Sequence, residues 1–238
     1  MSEGVFLPRS KRFVVGCDLA QQHDYTAIAV LEVAVGVIDM NTEDERHTNT
    51  GRIPQKPARR FDCRHLQRLP LKLSYPTQVE KIKQLMSRPP LCGAADLKPA
   101  ELIVDITGVG RPVGELLDRA GLRPIKVTIT SSQDKATYSG DCWHVSKALI
   151  VQTIDAALNN GELGFAKGLD EAHAMESELK DFRRFVSAAG RSTYEASGQN
   201  GDLVLALGIG LWWASRPPPP RAAFGRWGQP DKPNQRSN

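Results

Sequence analysis

Three apolar segments of this chain each meet a single aspartate at their boundary, and this pattern constrains the fold more than any other feature. Phe13-Val14-Val15-Gly16-Cys17-Asp18 and Leu102-Ile103-Val104-Asp105 are short apolar runs that end in an acid. They read as buried strands. Asp202 opens a third segment, Leu203 to Trp213, which is apolar almost all round. It reads as a buried helix, and its 11 residues are too few to span a membrane. An acid beside an apolar run lies near the edge of the core, because a buried carboxylate without compensation is costly.

The remaining elements fill in an α/β order. Thr26 to Ile38, rich in Ala, Val and Ile, predicts a second strand close behind the first, hence an antiparallel hairpin. Asp39 to Arg60 reads as a loop, and Phe61 to Leu73 as a third strand. Thr77 is the expected N-cap of a helix through Val79, Ile82 and Leu85, with Glu80 completing a capping box. That helix should end before Pro89-Pro90. Thr107-Gly108-Val109-Gly110 turns from the Asp105 strand into a helix through Val113, Leu116 and Leu117. A β-branched strand runs from Pro124 to Thr130, then a loop over Ser131 to Asp141. Helical periods follow over Val145 to Asn159 and Glu171 to Ala189. Three antiparallel strands followed by two β-α-β crossovers predict a mixed five-stranded sheet with helices on both faces.

The chain carries 31 Lys+Arg against 27 Asp+Glu, a net charge of +4. From Ser215 onward Arg216, Arg221, Arg226, Lys232 and Arg236 stand against Asp231 alone, so this stretch holds the whole excess. The body is neutral, and net charge says little about its partners. Residues 1–11 read as a polar lead-in, 12–214 as the domain, and 215–238 as a basic tail. Pro217 to Pro220 open that tail, which is expected to be disordered when unbound. It is a candidate arm for DNA. The four cysteines are scattered without a C-x-x-C pair, which argues against structural zinc, and Cys17 reads as a core residue. Neither a signal peptide nor an 18-residue apolar run is seen. A reducing, cytoplasmic setting without a membrane partner is expected.

The first and fourth strands of such a sheet are neighbours, so Asp18 and Asp105 could lie side by side, with Asp202 brought in by its helix. Three converging carboxylates repel one another unless a cation neutralises them, and hard oxygen donors suit Mg²⁺ or Mn²⁺. Two such ions can clamp the attacking and leaving oxygens of a phosphodiester. Plainer roles compete at each position. Asp18 could serve strand-end backbone hydrogen bonds, Asp202 could simply cap its helix, and Asp105 with Gly108 and Gly110 could open a phosphate-binding turn. Asp24, Thr107, His144 and Lys147 form a second tier. Asp24 could approach the ions from the hairpin and Thr107 could touch DNA. His144 and Lys147, expected one turn apart near a helix start, could meet a phosphate or order a water. For Asp24 a solvated turn, and for His144 and Lys147 a solvated helix face, is the plainer alternative. Trp212 and Trp213 read as core residues.

Val15-Gly16-Cys17-Asp18-Leu19-Ala20 with Asp24-Tyr25-Thr26-Ala27-Ile28-Ala29-Val30 resembles the first segment of the nuclease domain of phage terminase large subunits. Ile103-Val104-Asp105-Ile106-Thr107-Gly108-Val109-Gly110 resembles their second acidic segment, and Gly201-Asp202-Leu203-Val204-Leu205-Ala206-Leu207 the closing one. Glu178-Leu179-Lys180-Asp181-Phe182 is similar to an intervening stretch. The resemblance spans roughly residues 12–214. It implies a ribonuclease H-like fold and cleavage of double-stranded DNA during phage genome packaging. It also implies two divalent cations, Mg²⁺ or Mn²⁺, bridged by Asp18 with Asp105 and Asp202 outside. Where many relatives have His-Asp-Asp, this chain has Asn200-Gly201-Asp202. The G-x-x-x-x-G-K-[ST] loop of the family's packaging ATPase is absent from these 238 residues. A separate ATPase, a small terminase subunit or a portal are the partners this implies. A Holliday-junction resolvase-like or transposase-like nuclease, a non-catalytic packaging module, and an actin- or sugar-kinase-like ATP-binding domain are the alternatives.

Overall fold

The structure is a computed structural model. It describes residues 5–20, 24–39, 55–131, 135–188 and 201–216, with the side chains of 55 and 182–188 excepted. Most of the expected loop from Asp39, and the tail from Pro217, lie outside the described residues.

The elements in chain order are β1 (Val5–Asp18), β2 (Ala27–Asp39), β3 (Gln55–Arg68), α1 (Tyr75–Met86), β4 (Glu101–Asp105), α2 (Gly110–Arg119), β5 (Ile125–Thr130), β6 (Thr137–Ser139), β7 (Cys142–Ser146), α3 (Lys147–Asn159), β8 (Leu163–Phe165), α4 (Ala172–Ala188) and α5 (Asp202–Ser215). They build one eight-stranded sheet in the order β6-β7-β5-β4-β1-β2-β3-β8. β1, β2 and β3 are antiparallel, and β1-β4-β5 run parallel. This central order, β3-β2-β1-β4-β5, is the expected ribonuclease H-like arrangement.

The sheet is wider than five strands because three short segments extend its edges. β6 and β7 form a hairpin on β5, and β8 adds to β3 in parallel. β6 lies inside the stretch expected to be a loop. β1 begins at Val5, so most of the expected lead-in over 1–11 is strand, and β3 begins at Gln55 rather than Phe61. These stretches pair because ladder hydrogen bonds with β2 satisfy the backbone whatever the side chains are. Val145 belongs to β7, not to the following helix, which begins at Lys147 behind the N-cap Ser146. The first helix is capped by Ser74, whose Oγ accepts from Thr77 N, rather than by Thr77 itself.

Side-chain alternation along the strands divides the core in two. Val14, Ile103, Ala29 and Leu31 pack against α3, α4 and α5, whereas Val15, Val104, Ile28 and Val30 pack against α1 and α2. α5 is buried nearly throughout, from Leu203 to Ala214, because it lies flat across the middle of the sheet. It comes so close to β1 that only a residue without a side chain fits at Gly16, opposite the Ala206 carbonyl.

Candidate metal centre

Strand parity decides where the two strand-end aspartates point. Asp18 and Asp105 are directly opposed in the parallel β1–β4 ladder. Asp18 follows Gly16 by two residues and Asp105 follows Ile103 by two, so both share the face covered by α5. Asp202 is the first residue of α5 and stands at that same end. The three aspartates therefore share the end of the sheet where β1 and β4 end and α5 begins.

Their immediate contacts are specific. Asp105 Oδ1 accepts from Thr107 N (2.8 Å) and Thr107 Oγ1 (2.5 Å), and that hydroxyl accepts from Ile129 N (2.7 Å). Asp105 is thus fixed to the turn after its own strand and to β5. Gly108 and Gly110 adopt positive φ, 76° and 74°, and make this turn possible. Asp202 does not cap its own helix, as the simplest reading of its position suggested. The cap is Gly201, and Asp202 Oδ2 instead accepts from Tyr25 N (3.2 Å) at the entry to β2. The approach to β2 is held in turn by Thr26 Oγ1, which accepts from Ala20 N and donates to Gln78 Oε1. Gln78 Nε2 donates to the Ala20 and Leu73 carbonyls.

The Asp18 carboxylate has no hydrogen-bond or ion-pair partner among the described residues. Burial pushes its pKa well up, and the charges of Asp105, Asp202, Asp24 and Glu178 push it further. Burial also raises Asp105 against the opposing hydrogen bonds from Thr107 and Ile129. Burial raises Asp202 too, with Asp24 adding to it while Tyr25 N–H and Arg68 oppose. Five carboxylates thus share one electrostatic environment. Hard oxygen donors in mutual repulsion fit a divalent cation, which would offset the repulsion among Asp18, Asp105 and Asp202. No group of three or more His, Cys, Asp or Glu among the described residues already closes on one ion position.

The second-tier residues separate. Asp24 is exposed, and its charge acts on both Asp18 and Asp202. Lys147, the first residue of α3, feels the charge of Asp18, although burial lowers its pKa overall. His144 is on β7, not on a helix turn shared with Lys147. Its neighbours Trp143 and Val145 face the α5 side, so alternation turns His144 away from the carboxylates. Trp212 is buried in the core, and Trp213 Nε1 donates to Glu101 Oε1 (3.1 Å) at the opposite end of β4.

Glu178, outside the acids that the sequence marks as site candidates, is only 3% exposed. Its Oε2 accepts from Val204 N (3.0 Å) and its Oε1 is paired with Arg68. The signal was its spacing, three residues after Met175 on the side of α4 that packs inward. An acid there must be partnered inside the protein.

No protein-family model and no curated protein matches the chain. Among solved structures, the large terminase nuclease of the thermophilic phage G20c, solved with bound magnesium, is similar at TM-score 0.47 and 19% identity, covering 87% of this chain and 83% of that one. A second structure of the same nuclease is similar at TM-score 0.46 and 19% identity, with 84% and 81% covered. The terminase nuclease domain of human cytomegalovirus, soaked with manganese, is similar at TM-score 0.43 and 16% identity, again with 84% and 81% covered.

Proposed function

We propose that this chain is a metal-dependent endonuclease that cuts double-stranded DNA during phage genome packaging. One observation carries the reading: Asp18 and Asp105 oppose each other in the β1–β4 ladder, and Asp202 opens α5 at the same end of the sheet. Asp18 would be the shared ligand of two ions, with Asp105 and Asp202 outside it. When bound, Mg²⁺ or Mn²⁺ would supply Lewis-acid stabilisation of the charge that develops on the scissile phosphate. The protein's part is orientation. Thr107 and the Ile129 amide hold Asp105, and the Tyr25 amide holds Asp202. The Lys147 ammonium, near enough to feel Asp18, would meet a phosphate oxygen. DNA contacts would fall mainly on the backbone, so binding should weaken steeply with salt and depend little on sequence. Translocation would belong to an ATPase in another domain or partner, acting with a small terminase subunit or a portal.

Mn²⁺-dependent nicking of a supercoiled plasmid tests the assignment. The wild-type chain should nick, and Asp18→Asn and Asp105→Asn should each lose at least about a hundredfold in rate while keeping their circular dichroism. Full activity in either variant would remove that residue from the mechanism. A four-way junction cut much faster than linear duplex would move the substrate class to branched DNA.

A further inference from the structure

We infer that Glu178 is a positioning residue: its carboxylate, reaching from α4, fixes the first turn of α5 and with it the placement of Asp202. The inference rests on the proposed function in one respect, that Asp202 is an ion ligand.

A helix begins with backbone N–H groups that have no partner within the helix. In α5 the ladder starts with Leu205 N donating to Gly201 O (2.8 Å), and Gly201 has no side chain to cap the amides before it. Val204 is fully buried, so its N–H cannot turn to water. Glu178 Oε2 accepts that proton at 3.0 Å. The cap is therefore supplied by a different helix, and it ties the start of α5 to α4.

The other oxygen extends the tie. Glu178 Oε1 is paired with Arg68 at the end of β3. The Arg68 guanidinium lies 5.4 Å from the centroid of the Tyr25 ring and 3.8 Å from Glu171 Oε2. Tyr25 N donates to Asp202 Oδ2. The links form a closed circuit through α4, α5, the entry to β2 and the end of β3, with Asp202 held inside it. An exposed Glu–Arg pair would hold nothing firmly, but here Glu178 is buried, and its loss leaves the buried Val204 amide without an acceptor and Arg68 with only the more distant Glu171.

Two conservative variants separate reach from charge. Glu178→Gln keeps the chain length and an oxygen acceptor for Val204 N–H, but not the charge. Glu178→Asp keeps the charge but withdraws it by one methylene from the amide. Mn²⁺ binding, titrated by calorimetry well below the unfolding midpoint, should weaken about tenfold or more in Glu178→Asp and Glu178→Ala, the size usual for removing a group that orients a ligand. Glu178→Gln should stay nearer to wild type than to Glu178→Ala. Plasmid nicking should follow as a rise in the Mn²⁺ concentration for half-maximal rate, with the rate at saturating Mn²⁺ largely retained. If Glu178→Ala does not fold, the Gln and Asp variants still decide. The reverse ranking, with Asp active and Gln impaired, would overturn the inference and make Glu178 a charge acting on the ions directly. Equal Mn²⁺ affinity in all variants, with only the melting temperature lowered, would overturn it as well. If wild type binds Mn²⁺ but does not nick, the nuclease reading fails while the affinity ranking still judges Glu178. No Mn²⁺ binding by wild type would overturn both.

Discussion

Gly16 lies two residues before Asp18, where β1 passes under α5. A Cβ on Gly16 would come within 3.0 Å of the Ala206 carbonyl carbon and 3.1 Å of Gly210 N, and nearer still to the Ala206 carbonyl oxygen. Ordinary contact begins at 3.4 Å, and all three obstacles are backbone, so no rotamer change relieves the clash. α5 must lift off the sheet. Overpacking a rigid core costs about 1–3 kcal/mol, and an obstacle made of backbone places Gly16→Ala at the top of that range. Alanine recovers about 0.5–1 kcal/mol because it is less free than glycine in the unfolded chain. The net loss of about 2 kcal/mol corresponds to a fall in melting temperature of roughly 4–8 °C for a domain of this size. Scanning calorimetry measures it directly. Gly208→Ala is the control: its Cβ would meet side-chain atoms of Ile150 and Ile154, and filling a glycine inside a helix returns about 1 kcal/mol. Its loss should be the smaller. If Gly16→Ala melts with wild type, or is hurt less than Gly208→Ala, α5 is not seated on β1 as described.

Two further outcomes follow from the electrostatics. Asp18 has a folded-state pKa raised by burial and by its acidic neighbours, so the folded protein binds that proton more tightly than the unfolded chain. Its contribution to stability is therefore fully present below the unfolded value of about 3.9 and is lost as pH rises from there to the folded value, by about 1.4 kcal/mol for each unit of the shift. In EDTA, Asp18→Asn should melt above wild type, with a margin that grows from pH 4 upward, and Mn²⁺ should narrow or reverse that margin by stabilising wild type alone; a margin independent of pH would refute this. At the far end of α5, the Arg216 guanidinium stacks 3.8 Å from the Trp143 ring centroid and within 5.3 Å of Trp212 and Trp213. Arg216→Ala should cost about 0.5–2 kcal/mol and shift tryptophan emission, while unaltered emission would show that the stack does not form in solution.

The strand order of the central sheet was legible because apolar runs, turns and crossovers are local features of the chain. So was the pairing of Asp18 with Asp105, each marked by the apolar strand that it ends. Boundaries failed where long-range pairing overrode composition. Val5 to Lys11, broken by Pro8 and closed by Arg9, Ser10 and Lys11, looks loose, yet β2 supplies a ladder for most of it. His144 and Lys147 read as one helical turn because Val145 fits the apolar period of the helix that follows. Pairing of Val145 with Ile129 makes it strand instead, and the two polar residues part. Glu178 could not be assigned a role from its own segment, since its partners Val204 and Arg68 are 26 and 110 residues away.

The site itself arises from a match of lengths. At one end Arg12 is paired with Glu101, and Arg12 Nη2 donates to the Ala214 carbonyl (3.0 Å) while Trp213 Nε1 donates to Glu101. This cluster pins the last turn of α5 to the starts of the buried parts of β1 and β4. From Arg12 to Asp18 the strand advances six residues, about 20 Å. From Ala214 back to Asp202 the helix spans twelve residues, about 18 Å. A helix fastened at Ala214 and running antiparallel to β1 must therefore begin where β1 ends. The Gly16–Ala206 approach provides an independent check on the register. Gly16 is two strand residues, about 7 Å, from Asp18, and Ala206 is four helical residues, about 6 Å, from Asp202. Helix and strand therefore stay in step from one end to the other, and the position of Asp202 opposite Asp18 depends on contacts some 20 Å from the carboxylates.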